Sequence, residues 1–68
     1  MRAATLKFLR AQKERLEREA DLIRSGARKI LRVMDGETED ISVEWLRQAD
    51  QQIDEFEEII AAVESRLQ

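Results

Sequence analysis

Apolar residues recur at alternating intervals of three and four along two stretches of this chain, and the stretches complement one another when the chain folds back. In the first, Leu6, Leu9, Lys13, Leu16, Ala20, Ile23, Ala27, Ile30 and Met34 keep the spacing, with Lys13 the one polar member. In the second, Leu46, Ala49, Ile53, Phe56, Ile60, Val63 and Leu67 are apolar throughout. This is the seam of a heptad repeat, with Leu6 at a and Leu9 at d. It predicts an all-α fold, an antiparallel two-helix hairpin with helices over about 3–34 and 43–67 and a loop over about 35–41.

Local signals bound the two helices. Asp35-Gly36 reads as a stop, because glycine tolerates the left-handed conformation that ends helices. Ser42 reads as the N-cap of the second helix, with Glu44 favourable to the dipole and Ile41 and Leu46 spaced as a hydrophobic staple. Ser25-Gly26 offers a rival break, with Ser25 capping a short third helix. The unbroken phase of Ile23, Ala27, Ile30 and Met34 argues for continuity, with a bend where glycine costs ~1 kcal/mol relative to alanine.

Folding the seams together pairs residues whose numbers add to 76: Met34 with Ser42, Ile30 with Leu46, Ala27 with Ala49, Ile23 with Ile53, Ala20 with Phe56, Leu16 with Ile60, Lys13 with Val63 and Leu9 with Leu67. Small meets large at Ala20 and Phe56, as close packing prefers. Charge agrees with the fold-back. Residues 1–34 carry ten Lys/Arg against four Asp/Glu, and residues 35–68 carry two against eleven. Arg10 falls beside Glu64, Arg24 beside Asp50 and Val33 beside Trp45. Glu17 faces Glu57, with Lys13 one turn away to bridge them. Exposed ion pairs contribute only ~0.2–1 kcal/mol each, so they select the register more than they hold it.

Sixty-eight residues make a single thin domain, residues 1–68. With no Cys and no His, neither a disulfide nor a zinc cluster can staple it. A core this small supplies ~3–5 kcal/mol, which points to association. No segment reaches the length of a membrane span. The basic start, Met1 to Arg10, lacks the apolar run of a secretory signal, and its register continues unbroken to Glu14 and beyond, so the expected location is cytoplasmic.

Some residues are left over by a lone hairpin. Leu6 is expected to project past the end of the second helix, with Phe8 behind it. Leu22 also lies outside the seam, and Leu31, Val33, Trp45 and Ile59 flank it and widen the apolar face beyond what one neighbour covers. These seven residues are the expected protein interface, and the expected assembly is a homodimeric four-helix bundle or a complex with a helical protein partner. Catalysis is not expected, because the carboxylate pairs lie in solvated charge runs rather than in a desolvating pocket. No catalytic, cofactor-binding or metal-ligating residue and no small-molecule substrate is assigned.

Nucleic acid is the alternative partner, gripped through phosphates by Arg15, Arg18, Arg28, Lys29 and Arg32 on the outer face of the first helix. The stretch Lys7-Phe8-Leu9-Arg10-Ala11-Gln12 is similar to the Arg-Phe-Ile-Arg-Ser-Gln stretch of the Rop-type plasmid RNA-binding proteins, with three of six residues identical. That resemblance implies a helical hairpin dimerising into a four-helix bundle, with Phe8, Arg10 and Gln12 on an RNA-binding face. The expected function is nonetheless a small non-catalytic protein–protein interaction module, of subunit, adaptor or small-chaperone type. By analogy of size, bacterial and phage accessory proteins supply such modules.

Overall fold

The computed structural model describes residues 3–67. Helix α1 spans Ala3–Arg24, strand β1 Leu31–Met34, strand β2 Glu37–Asp40 and helix α2 Ser42–Leu67. The helices pack against each other, and the strands form a two-stranded antiparallel hairpin at the end where they are joined. The molecule measures 52 × 23 × 16 Å with a radius of gyration of 15.5 Å. A compact chain of this length would have a radius near ~11 Å. The fold is a rod.

The second helix falls where the heptad pattern places it. The first ends ten residues early, so the predicted continuous helix to residue 34 is overturned. Ser25-Gly26 is the true stop. Gly26 takes φ +83°, open to glycine and strained for any other residue. The Ser25 hydroxyl donates to the Leu22 carbonyl at 3.0 Å, and the Arg28 amide donates to the same carbonyl at 3.2 Å. With the Ser25 amide on the Asp21 carbonyl and the Gly26 amide on that of Ile23, the carbonyls of residues 21–23 are satisfied. Ser25 closes a helix; it does not begin a third one.

The expected loop is also corrected. Asp35 and Gly36 both have positive φ, 52° and 79°, the signature of a tight two-residue hairpin turn whose twist matches the flanking strands. Leu31 pairs with Asp40, Arg32 with Glu39, Val33 with Thr38 and Met34 with Glu37. The all-α prediction therefore misses a β-hairpin. The layers Ala27/Ala49, Ile30/Leu46 and Met34/Ser42 disappear with the missing helical turns.

A serine ties the hairpin to α2. The sequence marks Ser42 as the helix cap, yet its hydroxyl accepts the Ile30 amide at 3.0 Å and donates to Asp40 Oδ1 at 2.6 Å. Asp40 Oδ1 also accepts the Ser42 amide at 2.9 Å, so the carboxylate holds the start of the helix in its place. The hydroxyl and amide of Ser42 hold the Asp40 carboxyl below its ordinary range. The Ile41 carbonyl accepts the Trp45 amide at 2.9 Å, the first bond of α2.

Leu6, Ala20, Ile23, Ala49, Ile60 and Val63 are the buried apolar residues among those described. Leu6 does not project past the end of α2, as the pairing rule requires. It is buried with Ile60 and Val63, and Leu9 and Phe56 pack against that cluster. The rule fails here because a helical knob sits in a hole of four residues, not opposite one partner. Leu67, expected opposite Leu9, has its side chain outside the described residues.

The ion pairs keep the predicted register closely. Arg10 meets Glu64 at 3.3 Å, and Arg24 bonds Asp50. Lys13 lies 3.8 Å from Glu17 and 3.3 Å from Glu57, bridging two carboxylates that would otherwise oppose each other. Its half-buried stem lies along the seam, with the ammonium turned out to the acids.

Candidate interaction surface

Along one face of α2, beside the buried seam, runs an open trough whose central part is bounded by α1 as well. Its central recess of about 360 Å³ is lined by Gln12, Arg15, Leu16 and Glu19 from α1 and by Trp45, Gln52 and Phe56 from α2. A second recess of about 250 Å³, on α2 alone, is lined by Gln52, Glu55, Phe56 and Ile59. A third, of about 280 Å³, lies on the other side of Trp45 among Arg32, Ile41, Glu44 and Gln48. Trp45 and Phe56 are the shared walls, so the recesses form one line along α2. Ile41, Trp45, Gln48, Gln52, Phe56 and Ile59 are spaced by three or four, which puts them on one helix face.

The trough is apolar at intervals and polar between them. Leu16, Trp45 and Phe56 are only partly buried, and Ile59 is 47% exposed. Gln12 and Gln52 offer amides along the line, while Arg15 and Glu19 supply opposite charges on the α1 side. This mixture suits a second helix, which buries its own apolar stripe and satisfies rim groups at its edges.

The seven predicted interface residues do not form one patch. Trp45 and Ile59 line the trough. Phe8 and Leu22 are exposed on α1, Leu22 on a separate shelf with Arg18, Asp21 and Ser25. Leu31 and Val33 belong to the hairpin, and Leu6 is buried in the core. Of the β1 residues it is Arg32, not Val33, that lines the recess beside Trp45. Leu16, Phe56 and Gln52 are trough residues that the sequence does not place on an interface, and Gln12 is placed on one only by the Rop-type resemblance. The heptad pattern assigns the first two to the seam. For the glutamines the available signal is a polar residue set between apolar neighbours on a second stripe.

The predicted basic face is broken up as well. Arg15 and Arg18 lie on α1, Arg28 and Lys29 in the connector and Arg32 in β1. Arg28 is paired with Glu19, and Arg32 meets Glu39 at 2.6 Å across the hairpin. That contact, through hydrogen bond and charge, raises the Arg32 pKa. No single helix presents all five cations.

Among the described residues no group of three His, Cys, Asp or Glu is placed to hold a metal ion, and no polar or charged side chain is buried. Among the same residues no helix is long and apolar enough to cross a membrane. No protein-family model matches the chain, and neither a curated protein nor a solved structure is detectably similar to it.

Proposed function

We propose that this chain is a small non-catalytic protein-interaction module that lays a helix of another protein chain into the trough along α2. The observation that carries this reading is the line of recesses walled by Trp45 and Phe56, with Ile59 at its end. Aromatic side chains in such positions serve as anchors, because they bury large area at little conformational cost. A thin core adds to the case, since association supplies the burial that a lone helix pair lacks. A second copy is the first occupant to consider. Two troughs closing on each other make a four-helix bundle, the usual solution for helical hairpins.

Trp45 is the single tryptophan, so its emission reports directly on the trough. Association through this surface shifts that emission to the blue with rising protein concentration, in step with the sedimentation coefficient. Ile59→Lys, at an exposed position the fold tolerates, abolishes both changes. A chain whose emission, sedimentation and melting temperature all stay constant over a thousandfold dilution (~1 mM to ~1 µM, the range of weak specific association) excludes self-association through the trough.

A further inference from the structure

The β-hairpin has a free surface distinct from the trough. The Ile41 amide donates to the Ile30 carbonyl at 2.9 Å, which sets 30/41 in the bonded phase of the ladder although the Ile30 amide goes to Ser42. Antiparallel ladders alternate, so Arg32/Glu39 and Met34/Glu37 are the other bonded pairs. The backbone groups of Leu31 and Val33 on β1, and of Thr38 and Asp40 on β2, therefore point away from the partner strand. Both edges are open.

The edges differ in kind. β2 reads Glu37-Thr38-Glu39-Asp40, the charged composition that keeps an edge strand from pairing further. β1 reads Leu31-Arg32-Val33-Met34, the composition of an inner strand. Yet Leu31 is 56% exposed and Val33 68%, on the hairpin face opposite Arg32. A two-stranded hairpin with four-residue strands is marginal alone.

We propose that β1 is the inner strand of a four-stranded sheet completed by a second copy of this chain, β1 against β1 antiparallel across a twofold axis. Apolar burial and closure select this arrangement, and the one base that each β1 brings is already paired with Glu39. Pairing β2 with β2 would oppose acids to acids. Pairing β1 with β2 of another copy would match charges, but it is head-to-tail and propagates without closing. Only β1 against β1 closes with both acidic strands left outside. The outward groups of Leu31 then bond those of Val33 of the second copy, and the reverse, placing four apolar side chains together on one face. Arg32 meets its own copy at the axis, and each Arg32 keeps its Glu39 neighbour, so the row across the sheet reads acid, base, base, acid. This contact does not depend on the trough.

The chain has no cysteine, so a single introduced thiol is a clean reporter. Residues at the axis form a non-bonded pair with Cα atoms about 4.5 Å apart, within disulfide range. Arg32→Cys therefore oxidises to a covalent dimer, while Glu39→Cys on the outer strand stays monomeric under the same conditions. Val33→Pro removes an amide that points away from β2, leaving the hairpin's own ladder intact, and weakens dimerisation by at least about tenfold. Thr38→Pro makes the matching change on the other edge and leaves the dimer unaltered. Circular dichroism checks that the proline variants keep their helices, and the thiol pair decides the matter if they do not. A monomer at all concentrations overturns the proposal. So does a dimer that Ile59→Lys disrupts while Val33→Pro leaves it intact, which assigns association to the trough instead.

Discussion

The paired helices and the β-hairpin are built on different physics. In the helices Ala20 is fully buried and Val63 is 1% exposed, and cross-helix ion pairs mark the register on the outside. In the hairpin every strand residue is exposed, and what shapes it is a turn, a short ladder and the Ser42 hydroxyl. Burial is what holds the first region together. Backbone geometry makes the second region well formed but shallow in free energy. The difference teaches where to look for adaptation to a partner, since regions with few buried contacts open first.

The contrast breaks most sharply under side-chain truncation. Ile60→Ala, inside the Leu6–Val63 cluster, should cost ~2–4 kcal/mol in chemical denaturation, because it removes burial and leaves a cavity. Leu31→Ala, exposed in β1, should change global stability by less than ~0.5 kcal/mol. Equal effects would mean that the hairpin belongs to the same cooperative core.

A smaller effect should come from the turn. Nothing lies within 4 Å of a Cβ built on Gly36, so Gly36→Ala meets no steric wall and feels only the positive φ. The expected cost is ~1 kcal/mol, felt as faster amide exchange in residues 31–40, with α1 and α2 unaffected. Loss of helical protection would contradict the division into two regions.

The least effect is that of acid. The folded Asp40 carboxyl titrates below its unfolded value near ~3.9. Its contribution is therefore complete above that unfolded value and is lost as pH falls through the lower folded one. Amide shifts of Ile30 and Ser42 should track this titration in NMR spectra, while those around Ala20 and Ala49 should not.

The helical part is readable from the sequence because two long seams of the same period test each other. Arg10–Glu64, Arg24–Asp50 and the Lys13 bridge all emerge from that mutual test. Residues 25–40 are ambiguous for a physical reason. Ile30, Leu31, Val33 and Met34 satisfy a helical spacing and a strand alternation at once, and a window this short cannot separate the two periods. Asp-Gly serves equally as a helix stop or a hairpin turn. Gly26 carries the deciding signal, but an apolar phase that persists across it by coincidence points the other way. The trough is half visible for a related reason. Trp45 and Ile59 stand outside the seam, whereas Leu16 and Phe56 belong to the seam and to the trough together.

The Ser42 hydroxyl, one atom between Ile30 and Asp40, fixes an angle as much as an energy. The hairpin is a lever with its fulcrum there and its tip at Asp35-Gly36, ~15 Å away at strand rise. A rotation of ~10° at the fulcrum sweeps a tip at that strand-rise distance through ~3 Å. Removing the hydroxyl would leave every strand bond in place and still change where the lever points.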